Sequence, residues 1–256
     1  MSELELARFA VVIPAYNEAA TIRDVAIRVL RQVPRVIVVD DSSVDGTASK
    51  LDALPLTLLQ NPANLGKAAS LWRGMQQALQ DGAEGVITLD GDGQHEAEDI
   101  PRLIAEFKRH SNAIIIGSRL HDKHNIPTAR YCANRFANFW IAWAAGYPIA
   151  DSQSGFRIYP AQLLRCVHVA HGKAASFVFE SEILIEAGRR GVESVAVPVK
   201  VIYRNGARPS HFRAVKDIAL IVRMVAWKLL SRGMYLPGLA RSLRRARVTA
   251  EISSWP

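Results

Sequence analysis

The chain has 256 residues, of which 49% are apolar and 22% charged, with 16 glycines, 12 prolines and two cysteines. These proportions exclude a disordered chain, a collagen-like fibre and a disulfide scaffold, and they predict one compact globular domain with a terminal appendage. The two cysteines and the acidic N-terminus, which has no apolar stretch, predict a cytoplasmic protein without a signal peptide.

The net charge of +8 is concentrated near the C-terminus. Residues 204–247 contain eleven lysines and arginines and one acid, so this segment carries +10 and the rest of the chain −2. A basic segment predicts contact with an anionic surface: membrane lipid, nucleic acid or a phosphorylated substrate. The longest charge-free run, residues 136–150, has 15 residues, whereas a membrane span needs about 20. The sequence therefore predicts no transmembrane helix.

Apolar runs alternate with helical patterns over the first 120 residues. We predict strands at 9–16, 35–40, 56–60, 85–90 and 113–118, and helical stretches at about 19–32, 45–53, 66–80 and 97–110. Uninterrupted runs of Val, Ile and Leu are typical of strands that helices cover on both faces. This order predicts an α/β protein with an open, doubly wound sheet, in which ligands bind at the carboxyl ends of the strands.

Polar residues follow each of these five predicted strands. The clusters are Tyr16–Glu18, Asp40–Ser43, Asn61–Lys67, Asp90–His95 and Gly117–Arg119. One such cluster is also what a soluble loop or a helix cap contains. Five clusters delivered to one edge of a sheet favour a binding site.

The segment Asp90–Gln94 predicts a metal site. The carboxylates of Asp90 and Asp92, interleaved with glycines, can turn toward one point together with the Gln94 carbonyl. Oxygen ligands without cysteine or clustered histidine favour Mg²⁺ or Mn²⁺ over Zn²⁺, and we expect water and a diphosphate to complete the coordination. The patterns of an EF-hand, a Walker A loop and a GxGxxG fingerprint are absent from the sequence.

Several motifs, taken in their order along the chain, resemble the successive motifs of family 2 glycosyltransferases. They are residues 13–18 (IPAYNE), 39–47 (VDDSSVDGT), 64–67 (NLGK) and 90–95 (DGDGQH). Residues 151–157 (DSQSGFR), Tyr203-Arg204 and Ser210-His211 are similar to the dolichol-phosphate mannose synthase branch, and the resemblance covers about residues 9–230. It implies a GT-A-type, Rossmann-like α/β domain at residues 1–210, with an open, mostly parallel sheet and helices on both faces. A basic amphipathic helix and tail would follow at 211–256.

The resemblance also implies roles for individual residues. The nucleotide-sugar contacts would be Pro14, Tyr16, Glu18, Asp41, Lys67, Asp90, Asp92, Arg119 and Arg204. The metal ligands would be Asp90, Asp92 and Gln94. Arg119 and Arg204 would neutralise the diphosphate, since a guanidinium makes directional, paired hydrogen bonds to phosphate. His211 stands near the place where the family usually has a lysine, and Arg208 or Arg213 are alternatives for that contact.

The acceptor decides whether the predicted reaction needs a general base. A sugar that leaves a nucleoside diphosphate places negative charge on the diphosphate, so Asp92, through the metal, and Arg119 belong to the expected catalytic set. A polyprenyl phosphate, whose second pKa is about 6, attacks without a base, whereas a hydroxyl needs a carboxylate. Asp151 ranks first as that base, with Glu180 or Glu182 behind it. For both glutamates, the alternative to a role as the base is a position on the solvent-facing side of a helix.

Two helices have both a membrane and a core interpretation. Residues 212–232 predict a basic amphipathic helix in which Trp227 and Lys228 suit a lipid–water interface, or alternatively a helix packed on the sheet with a solvated basic face. The aromatic helix at about 128–147 is typical of a core, yet it also offers an apolar surface to a lipid. Arg130 or Arg135 beside it, with His211, would then meet the acceptor phosphate.

Three functions stay open at this point. The first is a metal-dependent, inverting glycosyltransferase that acts on a polyprenyl (dolichyl-type) phosphate at the cytoplasmic face of a membrane. The second is the same enzyme class acting on a hydroxyl of a glycan or glycolipid. The third, a non-catalytic nucleic-acid-binding module, leaves the strand-end motifs unexplained. We therefore expect a nucleoside-diphosphate sugar, Mg²⁺ or Mn²⁺, a lipid phosphate and an anionic membrane surface as partners, and no nucleic acid.

Overall fold

A computed structural model of the chain describes residues 2–118, 128–171, 178–200 and 214–249. The strands are β1 (Phe9–Ala15), β2 (Val36–Asp40), β3 (Thr57–Gln60), β4 (Gly85–Thr88), β5 (Ile114–Ser118), β6 (Arg157–Pro160) and β7 (Ser194–Pro198). The helices are α1 (Glu3–Leu6), α2 (Ile22–Leu30), α3 (Lys67–Gln80), α4 (Ile100–Arg109), α5 (Thr128–Ala145), α6 (Ala161–Cys166), α7 (Phe179–Arg189), α8 (Ala214–Leu230) and α9 (Leu236–Ser242). Short 3₁₀ turns span Ala48–Leu51, Ala97–Asp99 and Gly233–Tyr235.

The strands form one seven-stranded sheet in the order β3-β2-β1-β4-β6-β5-β7. Neighbouring strands are parallel except where β6 pairs with β4 and β5. The predicted open, mostly parallel α/β sheet is therefore confirmed. The chain builds outward from β1 to β3 on one side and then continues with β4 on the other side. In a sheet of this kind the ligand crevice lies at the carboxyl ends of the strands where this reversal occurs, here β1 and β4.

The reversed direction of β6 brings the segment before it to the same edge as the carboxyl ends of β4 and β5. The Thr88 hydroxyl donates to the Gly155 carbonyl at 2.7 Å, and the Ser154 hydroxyl donates to the Gly117 carbonyl at 2.6 Å. Both hydrogen bonds are buried. They fix residues 151–156 beside the crevice.

Burial on both faces of the sheet explains the uninterrupted apolar strands. In β1, Ala10 and Val12 belong to a core that includes residues of α3, α5, α7 and α8, whereas Val11 and Ile13 belong to a second core with α2 and α4. Burying one such valine or isoleucine side chain contributes about 1.5–3 kcal/mol. The predicted helical stretch at 45–53 is shorter in the structure, where only a 3₁₀ turn over Ala48–Leu51 forms.

The helix α8, predicted at 212–232, packs against α5. It buries Ile221, Val225 and Leu229, whereas Val222 and Trp227 are exposed. Within the described parts of the chain, none of the helices combines the length and apolarity needed to cross a bilayer.

The segment after α8 is tied to both α5 and the sheet. The indole N–H of Trp143 on α5 donates to the Met234 carbonyl at 3.0 Å, and the Arg232 guanidinium lies 3.7 Å above the Tyr235 ring. Further on, Val248 forms a parallel bridge with Ala196 of β7. The described C-terminal residues therefore pack onto the sheet domain.

Candidate active site

The loop after β1 is held against the loop after β2. The backbone N–H of Asn17 donates to the Ser43 hydroxyl at 2.8 Å, and the N–H of Glu18 donates to the Thr47 hydroxyl at 2.8 Å. Asn17 adopts a left-handed conformation, with φ of 56°. Tyr16 and Glu18 are partly buried at the carboxyl end of β1. Two of the predicted polar clusters therefore form one joined surface.

The predicted metal turn lies against the same surface. The Thr21 hydroxyl, at the start of α2, donates to the Gly91 carbonyl at 2.8 Å. A Cβ added to Gly91 would stand 3.3 Å from the Pro14 carbonyl oxygen, so the turn and the end of β1 are in close contact. In the turn, the N–H of Gln94 donates to Asp92 Oδ1 at 2.9 Å. The structure thus brings Pro14, Glu18 and the Asp90–Gln94 turn together.

Asp41 supports the loop that carries Lys67. Its buried carboxylate accepts hydrogen bonds from the Asn61 side-chain amide at 2.7 Å, the Leu65 N–H at 2.9 Å and the Gly66 N–H at 2.8 Å. Gly66 has φ of 91°, a conformation that glycine adopts without strain. Asp41 therefore fixes the start of α3, where Lys67 is the first residue.

A cluster of opposite charges forms at the end of β4. Lys67 Nζ lies 2.7 Å from Asp90 Oδ1 and 3.5 Å from Glu180 Oε1 at the start of α7. Burial lowers the pKa of the Lys67 ammonium, but the charges of Asp90, Glu180 and Asp92 outweigh it and raise that pKa above its usual value. Lys67 is therefore a fixed positive charge at neutral pH.

Gly155 permits this cluster to pack tightly. A Cβ added there would lie 2.8 Å from Asp90 Oδ2 and 3.1 Å from Glu180 Oε1. Within the described residues, Glu180 Oε1 is buried and accepts no hydrogen bond. Both carboxylates therefore converge on one point of the loop before β6, with the Lys67 ammonium beside them.

Arg157 organises the residues around Gly155 from within the protein. Its fully buried guanidinium donates to the carbonyls of Ser154, Ser152 and Glu180 at 2.6, 2.8 and 2.8 Å. The sequence places Arg157 in a motif without indicating this function. Arg157 begins the otherwise apolar strand β6 and is fully buried, and a buried charge requires partners, which here are the three carbonyls.

Asp151 and the residues next to it are held by α5. Asp151 is fully buried, and its Oδ1 accepts the Gln153 N–H at 3.1 Å. Asn138 of α5 accepts the Ser152 N–H at 2.8 Å and donates to the Ala150 carbonyl at 2.8 Å. These hydrogen bonds fix residues 150–153 against α5.

The predicted alternative that Glu180 and Glu182 face solvent is wrong. Their side chains are only 15% and 13% exposed. Glu182 Oε1 lies 2.9 Å from Lys228 Nζ of α8, and Glu186 Oε1 lies 2.7 Å from the same nitrogen. Lys228 therefore points into the protein and joins α8 to α7.

Several predicted site residues cannot be placed in this cluster. Arg119, Arg204 and His211 lie outside the described residues, and the side chain of Arg130 in α5 does too. Arg135 is exposed on α5, with its guanidinium 5.9 Å from the centre of the Tyr131 ring.

Comparison with known proteins identifies related sequences. The family described as Glycosyl transferase family 2 matches residues 10–168. The UDP-N-acetylglucosamine–dolichyl-phosphate N-acetylglucosaminyltransferase of Methanococcus voltae is 28% identical over 213 residues, which cover 75% of this chain and 84% of that protein. The undecaprenyl-phosphate mannosyltransferase of Micrococcus luteus is 26% identical over 235 residues, which cover 88% and 96%.

A solved structure with the same fold is glucosyl-3-phosphoglycerate synthase from Mycobacterium tuberculosis, in complex with Mn²⁺, UDP and glucosyl-3-phosphoglycerate. The two structures superpose with a TM-score of 0.59 at 21% sequence identity, over 91% of this chain and 84% of the other. The likeness shows a shared GT-A fold.

Proposed function

Because the chain belongs to glycosyl transferase family 2, we propose that this glycosyltransferase moves a sugar from a nucleoside-diphosphate sugar to a polyprenyl phosphate of the dolichyl type. The observation that carries the proposal is the cluster of Asp90, Lys67 and Glu180 at the carboxyl edge of the sheet. A sheet of this order binds ligands there. The names of the Methanococcus and Micrococcus relatives support a polyprenyl phosphate as the acceptor.

We assign the nucleotide sugar to the crevice between β1 and β4. The residues proposed to bind it are Pro14, Tyr16, Glu18, Asp41, Lys67, Asp90, Asp92, Arg119 and Arg204. Asp41 contributes through the loop that it holds, because its carboxylate is buried. Arg119 and Arg204 are proposed, on the resemblance of their motifs, as the cations that neutralise the diphosphate.

The oxygen donors of Asp90, Asp92 and Gln94 fit Mg²⁺ or Mn²⁺. Glu180 Oε1, buried without a hydrogen bond within the described residues, adds negative charge to the same cluster. The described residues contain no group of three or more His, Cys, Asp or Glu side chains that could hold a metal ion. Water and the donor diphosphate are therefore proposed as further ligands. A bound ion would stabilise the negative charge of the departing diphosphate, and the Mn²⁺ and UDP of the Mycobacterium tuberculosis structure support this choice.

The transfer is proposed as a direct displacement that inverts the anomeric carbon. An oxygen of the lipid phosphate bonds to that carbon while the bond to the diphosphate oxygen breaks, and the electron pair leaves with the diphosphate. The lipid phosphate is mostly dianionic at neutral pH, with a second pKa of about 6, so it needs no base. Arg119 would neutralise charge on the leaving diphosphate directly, whereas Asp92 would contribute by helping to hold the metal ion. The fully buried Asp151 is proposed to position the loop before β6 rather than to accept a proton.

The acceptor phosphate is proposed to bind beside α5. Arg130, Arg135 and His211 would supply its positive charge. Arg135 and Phe136 are exposed on α5, so this helix presents a cation beside an apolar ring. Such a pair suits a ligand with a phosphate head and a hydrocarbon chain.

We further propose that residues 211–256 bind the surface of an anionic membrane and that residues 1–210 form the catalytic domain. Trp227 on α8, Leu236 on α9 and Leu243 just after it are all more than 60% exposed. Arg223 is exposed on α8, and Arg244 follows α9. Exposed apolar side chains among arginines favour the headgroup layer of a membrane. The protein would then be peripheral at the cytoplasmic face.

A sugar-transfer screen tests the function. The protein is incubated with labelled UDP- and GDP-sugars and Mn²⁺ or Mg²⁺, with and without a polyprenyl phosphate. Asp92→Asn is the test variant, and Asp52→Asn, which changes an exposed carboxylate outside the cluster, is the matched control. We expect a lipid-linked product from the wild type and Asp52→Asn, and a loss of about a hundredfold or more for Asp92→Asn.

Other outcomes would contradict parts of the proposal. A product formed equally well on a glycan or glycolipid hydroxyl would refute the phosphate acceptor. Full activity of Asp92→Asn would refute the metal site. If no donor gave any product and salt-sensitive nucleic-acid binding appeared instead, the enzymatic proposal would fail.

A further inference from the structure

The ammonium of Lys67 contacts the oxygen that a metal ion at the Asp90–Gln94 turn would use. It lies 2.7 Å from Asp90 Oδ1, whereas Asp90 Oδ2 faces the backbone of Gly155. Among the described residues, the ammonium also lies 3.5 Å from Glu180 Oε1. The outward oxygen of Asp90 is thus already paired with a cation.

The position of Lys67 is fixed by the fold rather than by a flexible surface contact. The Gly66 N–H donates to buried Asp41, which sets the start of α3 and therefore the direction of the next side chain. The side chains of Lys67 and Asp90 are each only about a third exposed, at 32% and 27%. An ion pair at this depth is stronger than one in open solvent.

We infer that Lys67 is an internal counterion which a divalent cation must displace from Asp90 before it can bind. The inference rests on the metal-dependent function proposed above. A metal–oxygen bond of about 2.1 Å to Asp90 Oδ1 would place the ion and the ammonium within a few ångströms of each other, where like charges repel strongly. If both cations kept this oxygen, their repulsion would offset part of the metal-binding free energy, so displacement of the ammonium is favoured.

This competition lowers the affinity of the free protein for metal. The ammonium that is released needs another negative partner, and the diphosphate of the donor supplies one. Metal binding is therefore coupled to donor binding. Without the donor, Lys67 compensates the charges of Asp90 and Glu180 and keeps the two carboxylates together.

The test measures Mn²⁺ binding to the free protein, without any sugar nucleotide. Lys67→Met removes the counterion. Lys108→Met is the matched control, because it makes the same change of charge at a surface lysine that pairs with Glu5 at 2.8 Å. Lys67→Arg keeps the charge. Titration calorimetry or the signal of free Mn²⁺ in electron paramagnetic resonance gives the dissociation constants, and thermal denaturation is followed with and without Mn²⁺.

We expect Lys67→Met to bind Mn²⁺ about tenfold more tightly than the wild type, which corresponds to about 1.4 kcal/mol. Lys108→Met and Lys67→Arg should show no gain. Since Mn²⁺ replaces the missing charge, it should also raise the Tm of Lys67→Met more than that of the wild type. This holds even if the variant is destabilised without metal.

Unchanged or weaker Mn²⁺ binding by Lys67→Met would overturn the inference, as would a loss of Tm that Mn²⁺ does not recover. Either result would leave the proposed sugar transfer standing, because Mn²⁺ would still bind the wild type. Absence of Mn²⁺ binding in all four proteins would refute the metal site itself and this inference with it. Tighter binding by Lys67→Met without sugar transfer by the wild type would support the counterion and refute the enzyme.

Discussion

Replacing Gly155 by alanine tests how closely the loop before β6 packs on the carboxylates of the site. The new Cβ would stand 2.8 Å from Asp90 Oδ2 and 3.1 Å from Glu180 Oε1, so one of them must move. Restoring an ordinary carbon–oxygen separation requires a shift of about 0.5 Å, and Asp90 cannot yield freely because its other oxygen is paired with Lys67. A misplacement of about 1 Å at a reacting centre can cost about a hundredfold in rate. We therefore expect Gly155→Ala to lower kcat/KM by about tenfold or more.

The control for this variant is Gly85→Ala, at the start of β4. Its Cβ would also meet a neighbour at 2.8 Å, but that neighbour is the Phe9 ring in the apolar core. Gly85→Ala should lose about 1–3 kcal/mol of unfolding free energy through overpacking and keep its Mn²⁺ affinity. Gly155→Ala should lose Mn²⁺ affinity and turnover. Wild-type Mn²⁺ affinity and turnover in Gly155→Ala would refute the close packing described for the site.

Four further substitutions address stability and membrane binding. Arg157→Met removes the donors of three carbonyl hydrogen bonds, two of them buried and one partly buried, and should lower the free energy of unfolding by about 3 kcal/mol in urea denaturation. Burial raises the pKa of Asp99 to about 6. Ionisation of this carboxyl therefore destabilises the fold above pH 6, and the cost decreases as the pH falls toward 4. Asp99→Asn should be more stable than the wild type by up to about 2 kcal/mol at pH 8 and nearly equal to it at pH 4. Lys228→Met leaves Glu186 without its partner on α8 and should lower the Tm, whereas Trp227→Ser should leave the Tm unchanged and weaken binding to anionic vesicles in co-sedimentation.

Each of these expectations has a result that contradicts it. Full stability of Arg157→Met would mean that its carbonyl partners find other donors. An effect of Asp99→Asn that does not change with pH would rule out ionisation as its cause. Equal Tm losses for Lys228→Met and Trp227→Ser would contradict the opposite orientations of these neighbouring side chains.

The strands β1, β2, β4 and β5 can be predicted from the sequence because burial on two faces leaves a local signal, whereas the edge strand β3 is exposed or half-buried and is indicated only by its short apolar run. In β1, alternate residues reach different cores, so every position is apolar. The strand β6 has no such signal, since it begins with the buried Arg157 and ends at Pro160. Its place depends on pairing with β4 and β5, which are distant in sequence. Local composition cannot encode a pairing of that kind.

Some residues of the candidate site can likewise be predicted from the sequence, and others cannot. The Asp90–Gln94 turn is predictable because its oxygen donors are neighbours in sequence. Glu180 is not, because its position depends on the first turn of α7, which Arg157 holds through the Glu180 carbonyl. Its spacing along α7 is equally compatible with a solvent-facing position. The convergence of Glu180 and Asp90 on Gly155 is a tertiary contact between three segments, and the sequence offers only the glycine as a sign of it.

The net charge of the basic C-terminal segment overstates the number of positive charges that can contact an anionic membrane. Lys228 is held between two glutamates of α7, the Arg232 guanidinium lies over the Tyr235 ring, and Arg241 donates to the Tyr235 hydroxyl. These three cations are therefore engaged by partners within the protein. Each remaining cation near an anionic surface contributes about 1 kcal/mol, and salt screens that contribution. Because exposed Trp227 adds apolar contact that salt does not screen, we expect vesicle binding to weaken with salt less steeply than a charge of +10 would predict.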